Sequence, residues 1–86
     1  MGTHNGPVFC PANQKTEVLW ATLVVTEYQG TFSQPGVTIQ WERNSADPPF
    51  HTWGSHDTSG PFGAWLTGAY TNFWFTSPVP LTVNFS

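Results

Sequence analysis

The feature of this sequence that most constrains its fold is a series of short segments with apolar residues at every second position. Val37, Ile39 and Trp41 alternate with polar residues, and residues 81–85 repeat the pattern. Eight Pro and eight Gly punctuate the chain, and no 3.6-residue apolar stripe with helix caps occurs. The sequence therefore predicts an all-β fold, a small antiparallel β-sandwich or barrel of five to seven short strands, as a single β-domain over residues 1–86.

Residues 16–26 form the longest apolar run in the chain. Their β-branched content favours a strand, with Leu19 and Leu23 on one face and Trp20 on the other. Because both faces are partly apolar, we expect a central strand of a sheet.

The remaining elements are predicted from proline, glycine and local alternation. The first half of the chain is predicted to hold a short edge strand at residues 8–10 and turn chemistry at residues 33–36, which fits a type II turn with Pro35 second and Gly36 third. The second half is predicted to hold a loop at residues 44–49, a short strand at residues 50–53 and a polar loop at residues 54–60. Two strands turned near residues 67–68, or one bulged strand, follow within residues 62–76, and a last strand lies at residues 81–85.

Charge excludes several classes of partner. Only 8% of residues are charged, the net charge is -3, and the basic residues are Lys15 and Arg43. Two cations cannot track a phosphate backbone, so we expect no nucleic-acid binding, and an anionic membrane surface is an equally poor partner. No apolar run approaches about 18 residues, so the sequence predicts no membrane span.

The single cysteine, Cys10, cannot form an intrachain disulfide. We expect it to be a small buried apolar side chain, with a reactive thiol or an intermolecular bridge as the alternatives. No cofactor is predicted. We expect an extracellular or cell-surface location, with no secretory signal visible in the sequence; a removed signal or a larger parent protein would be consistent with it.

Catalytic and metal sites are not predicted. The spacing of His51, His56 and Asp57 matches no standard zinc pattern, and no alternating acidic loop surrounds Asp47 as calcium would require. Residues 55–57 have the composition of a catalytic triad, but three consecutive residues cannot adopt its geometry. We therefore expect no enzyme activity. The two histidines and Asp57 are assigned to hydrogen bonding with a ligand, with ordinary surface histidines as the alternative.

The aromatic residues are the stronger functional signal. Residues 59–76 hold six of the fourteen aromatics and no charged residue. Alternation puts Phe73 and Phe75 on one face of a strand and Trp74 on the other, while Trp41 is expected in the core. A chain of this length cannot bury both faces, so some of its indole and phenol rings should face solvent.

Exposed rings beside Asn, Thr, Asp and His suit sugars, because the apolar face of a pyranose stacks on a ring while its hydroxyls meet fixed polar groups. The predicted ligand-binding residues are His51, Trp53, His56, Asp57, Trp65, Tyr70, Asn72 and Trp74. The predicted function is a non-catalytic carbohydrate-binding domain, a small lectin or carbohydrate-binding module, with a glycan ligand.

Two alternatives use the same aromatic surface differently. A structural or assembly domain of a surface, capsid or fibre protein would use it as a protein interface, which predicts a homo-oligomer. A membrane-interface or pore-forming fragment would place Trp and Tyr at headgroup level, although the lack of cations counts against it.

Overall fold

Seven strands in two antiparallel sheets build the domain. The computed structural model describes residues 6–25, 28–44, 51–66 and 70–85. The strands are β1 (Gly6–Cys10), β2 (Thr16–Val25), β3 (Gly30–Phe32), β4 (Thr38–Asn44), β5 (His51–Asp57), β6 (Tyr70–Thr76) and β7 (Leu81–Phe85). One sheet has the order β1-β7-β3 and the other the order β2-β6-β4-β5. The predicted all-β fold is confirmed.

The alternating strands form because their apolar side chains, at every second position, are buried together in the core. Ile39 and Val83 are fully buried, and Trp41 packs against the core from the same face of β4 as Ile39. Gln40, between Ile39 and Trp41, is exposed to solvent, and so is Asn84, which follows Val83 in β7. Each strand therefore buries one face between the sheets and leaves the other outside, which is the pattern of a β-sandwich. In the part of the chain that the structure describes, no helix is long and apolar enough to cross a membrane.

Phe62 joins the two sheets at the centre of the core. Its ring centroid lies 4.8 Å from Phe32, 5.5 Å from Phe85 and 6.3 Å from Phe75. The backbone of Phe62 also exchanges two hydrogen bonds with Gly30, at 2.9 and 3.0 Å. A Cβ atom at Gly30 would overlap the Phe62 ring, so this close approach requires glycine.

The strand β2 is an edge strand, and the prediction of a central strand is wrong. Glu17 pairs with Trp74 of β6, and the next pair is Leu19 with Phe73, so one extra residue is inserted in β2. At this β-bulge, Val18 and Leu19 are both buried. At this point two successive apolar side chains turn inward because of the bulge, although β2 has a neighbouring strand on one side only among the described strands.

Two further predictions are changed by the structure. The polar loop expected at residues 54–60 is a strand as far as Asp57, since β5 pairs with β4 along its whole length. No strand forms in the described part of residues 62–69; an isolated bridge at Phe62 is followed by a 3₁₀ turn at Ala64–Leu66. The predicted loop beyond Asn44, the start of the strand expected at residues 50–53 and the turn near residues 67–68 lie outside the described residues.

Other predictions are confirmed. The short strand β1 lies at a sheet edge, and Gly36 has the positive φ of 78° that the third position of a type II turn needs. Cys10 is fully buried. Burial raises the pKa of its thiol to about 11, despite an opposing hydrogen bond from Thr16. Cys10 is therefore protonated at neutral pH and packs as an apolar side chain.

Thr58 connects the end of β5 to the turn before β4. Its buried hydroxyl donates to the carbonyl of Gln34 at 2.7 Å and accepts from the amide of Val37 at 2.9 Å. Its own amide donates to the carbonyl of Val37. One side chain thus satisfies two partly buried backbone groups of the turn.

We expect Thr58→Val to lower the free energy of unfolding by about 1–3 kcal/mol, because the isosteric methyl leaves both backbone groups unsatisfied. Urea unfolding followed by tryptophan fluorescence measures the change. The matched control is Ser59→Ala, which removes an exposed hydrogen bond to Asp57 and should cost less than about 0.5 kcal/mol. Equal losses in the two variants would contradict this role of Thr58.

Candidate functional site

The outer face of the four-stranded sheet, which points away from the three-stranded sheet, carries alternating acidic and aromatic residues. Glu17 pairs with Trp74, Trp74 with Glu42, and Glu42 with Trp53, on four adjacent strands. Directly paired residues share a face of the sheet. These four side chains therefore form one row across the whole sheet, here called the aromatic row.

The ammonium group of Lys15 lies over the aromatic row. Its Nζ forms an ion pair with Oε1 of Glu42 and lies 4.8 Å from the ring centroid of Trp74 and 5.8 Å from that of Trp53. Two indole faces and a carboxylate are the groups that attract a cation most strongly. We call Trp53, Trp74 and Glu42 the ammonium cage, which the chain fills with its own lysine.

The two partners of this ion pair differ in exposure. Glu42 is 5% exposed although it lies on the outer face, whereas the side chain of Lys15 is 47% exposed. The carboxylate is thus a fixed floor of the cage, while the lysine reaches it from the segment before β2. Loss of the ion pair would leave a negative charge in a largely desolvated place.

A polar groove adjoins the aromatic row on one side. Thr76, Gln40 and Ser55 form the next row of paired residues on the same face. With Asn13 and its neighbours these residues line a groove of about 420 Å³. Its walls carry hydroxyl and amide groups, which both donate and accept hydrogen bonds.

A row of amides adjoins the aromatic row on the other side. Asn72 pairs with Asn44, and Nδ2 of Asn72 donates to Oε2 of Glu17 at 2.6 Å. The Oδ1 atom of Asn44 is buried and has no hydrogen-bond partner in the described structure. The outer face therefore presents rings and carboxylates between a row of neutral polar groups and a row that holds these two amides and Trp20, which pairs with Asn72.

Three of the sequence-predicted site residues come together on this face. Trp53 is 57% exposed, Trp74 is half-buried, and Asn72 is the neighbour of Trp74 on the same face. His51 and Tyr70 occupy positions in β5 and β6 opposite Asn44 and Val25, but their side chains lie outside the described residues.

Two other predicted site residues pack together on the opposite face of the sheet. The His56 ring stacks on Trp65, with centroids 4.2 Å apart and an interplanar angle of 29°. The ring of Trp65 also lies 5.8 Å from that of Trp41 and 5.7 Å from that of Phe73, so it is partly buried and packs against the core cluster. The structure does not bring His56 and Trp65 to the aromatic row, because β5 turns its even-numbered side chains inward.

Asp57 stabilises the turn that follows β5. Its Oδ1 atom accepts hydrogen bonds from the amide and the hydroxyl of Ser59, at 2.9 and 2.6 Å, which is a local turn motif. Among the described residues no three His, Cys, Asp or Glu side chains lie close enough together to hold a metal ion.

Lys15 and Glu42 are the residues of this site that sequence reasoning missed. Alternation already turns Glu42 away from Ile39 and Trp41, so its outward direction was available from the sequence. Its two tryptophan neighbours were not, because they depend on which strands flank β4. The position of Lys15 depends in addition on the bulge at Val18.

The environment of His56 lowers the pKa of its imidazole. Partial burial against Trp65 disfavours the charged ring, and the neighbouring carboxylate of Asp57 opposes this effect. Because the folded state binds this proton less readily than the unfolded state, protonation below about pH 6.5 disfavours folding.

We therefore expect the NMR titration of His56 to give a pKa below the ordinary value of 6.5. The variant Asp57→Asn should lower the pKa of His56 further, since it removes the favourable charge. Glu17→Gln, which removes a carboxylate from the outer face, is the control and should leave this pKa unchanged. A rise of the His56 pKa in Asp57→Asn would show that the assigned cause is wrong.

Comparison of the chain with protein-family models, with curated proteins and with solved structures finds no match. The functional assignment therefore rests on the chemistry of the outer face alone.

Proposed function

We propose that this chain is a non-catalytic carbohydrate-binding domain, a small lectin or carbohydrate-binding module, and that it binds glycans on the outer face of the four-stranded sheet. The observation that carries the proposal is the exposure of Trp53, which is 57% accessible beside a polar groove. An indole ring held by a strand is a rigid apolar platform for the C–H face of a sugar.

The neighbouring polar groups supply the second part of sugar recognition. Gln40, Ser55 and Thr76 present an amide and two hydroxyls next to the two tryptophans. Such groups can exchange hydrogen bonds with sugar hydroxyls on either side of a stacked ring. The low charge of the chain is consistent with a ligand that needs little ionic steering. An extracellular or cell-surface location is part of the same proposal.

We expect Trp53→Ala to weaken glycan binding by at least about tenfold without unfolding the domain, because the ring is a largely exposed contact. A glycan array identifies the ligand, and tryptophan fluorescence titration with that ligand measures the loss. The matched control is Trp65→Ala, which removes a core ring and should instead lower the midpoint of urea unfolding. Unchanged glycan affinity in a folded Trp53→Ala variant would contradict the proposal.

An assembly domain is the second candidate function, and a different residue favours it. Phe9 is 59% exposed on the edge strand β1, where a large apolar side chain beside unpaired backbone groups suits association with another chain. Its surface belongs to the three-stranded sheet and is therefore separate from the aromatic row.

If assembly is the function, light scattering should give a multiple of 9.5 kDa, and Phe9→Ser should reduce it to a single chain because the apolar contact is lost. Trp53→Ala is the control and should leave the mass unchanged. A mass of one chain at all concentrations would eliminate this candidate in favour of glycan binding by a monomer.

A further inference from the structure

We propose that the ammonium cage binds the protonated amino group of an amino sugar, which takes the place of Lys15. This inference rests on the proposed glycan-binding function and names the class of sugar. The ligand is a glycan with free, unacetylated amines, such as an oligomer of glucosamine.

The occupant of the cage in this structure shows which chemical group the cage fits. The Lys15 ammonium makes an ion pair with Glu42 and lies over both Trp53 and Trp74. A primary ammonium on a sugar ring carries the same charge and the same three donors. It can therefore make the same ion pair and the same cation–π contacts.

Lys15 is suited to leave the cage when a ligand enters. Its side chain is 47% exposed and has a flexible four-carbon stem, so withdrawal into water restores both hydration and rotamer freedom. Glu42 stays buried in its strand and regains a cationic partner from the ligand. The sugar ring attached to that amine would lie between the exposed face of Trp53 and the hydroxyls of the groove.

The charges of the outer face favour a cationic sugar over an acidic one. Glu17 and Glu42 both belong to the aromatic row. The chain has two basic residues in all: Lys15 is paired with Glu42, and the guanidinium of Arg43 lies 6.0 Å from the ring centroid of Trp41, on the opposite face of the sheet. A sugar carboxylate would thus meet two carboxylates and compete with Glu42 for Lys15.

The test compares the tetramer of glucosamine with the tetramer of N-acetylglucosamine, which has the same ring chain without the charge. At about pH 6, below the pKa of about 7.7–8.0 of an α-amino group, the amines are protonated. We expect the glucosamine tetramer to bind about tenfold tighter, as measured by isothermal calorimetry, because only it can use Glu42.

Two variants of the full chain test the cage itself. Lys15→Met should increase the affinity for the glucosamine tetramer severalfold, because the competing ammonium is removed. Glu42→Gln should abolish the preference for the charged tetramer over the acetylated one, because the carboxylate that pairs with the sugar amine is removed. Circular dichroism confirms that each variant is folded; if either variant does not fold, the other variant and the comparison of the two tetramers decide.

Each remaining outcome is decisive. Equal affinity for the two tetramers, or a loss of affinity in Lys15→Met, overturns the inference and leaves glycan binding standing. If neither tetramer binds, the inference fails, and the glycan array with Trp53→Ala decides separately on the proposed function. Nα-acetyl-lysine methylamide keeps a free ε-ammonium but has no sugar ring. If it binds as tightly as the glucosamine tetramer, the sugar ring adds nothing to the affinity and the inference is also overturned.

Discussion

The packing of Phe62 against Gly30 is the contact on which the rest of this structure depends. It places one ring between side chains of both sheets, and only a glycine lets the two backbones come close enough to pair around it. The same contact anchors the segment that leads to Trp65, whose ring then covers Phe73 and Phe75. Because these rings fill the space between the sheets, Trp53 and Trp74 are left for the outer face.

The small number of charged residues determines the electrostatics of the outer face. In a chain with only two basic residues, each cation strongly affects the local field, since few others screen or oppose it. Lys15 neutralises Glu42 and at the same time covers the faces of two indoles. The cage is therefore a place on the sheet where an ammonium group contacts a carboxylate and two indole rings at once. Binding would exchange one ammonium for another and would not require a charge to be buried anew.

Much of the fold could be predicted from the sequence, because β4, β6 and β7 bury one face and alternate regularly. The same alternation correctly put Phe73 and Phe75 on one face of a strand, which the structure shows to be the buried face, and Trp74 on the other. Alternation failed at two places where the two-residue period is interrupted. The first is the bulge in β2. The second is Gly54, which lies against the Trp41 ring in a strand although a glycine there is typical of a loop. The candidate site was only partly predictable, since the pairing of Glu42 with two tryptophans is a property of strand order, which no single segment encodes.

The bulge in β2 has a consequence for how this sheet meets other chains. The pairing of β2 with β6 shifts at two places, so its free edge offers an interrupted ladder of amides and carbonyls. At the other edge, β5 pairs with β4 through seven consecutive residues without a shift, and its outer ladder is correspondingly even. Among the described strands, an incoming extended peptide would find a continuous template on the β5 side and an interrupted one on the β2 side. Growth of the sheet by strand addition would accordingly favour a single direction, away from β2.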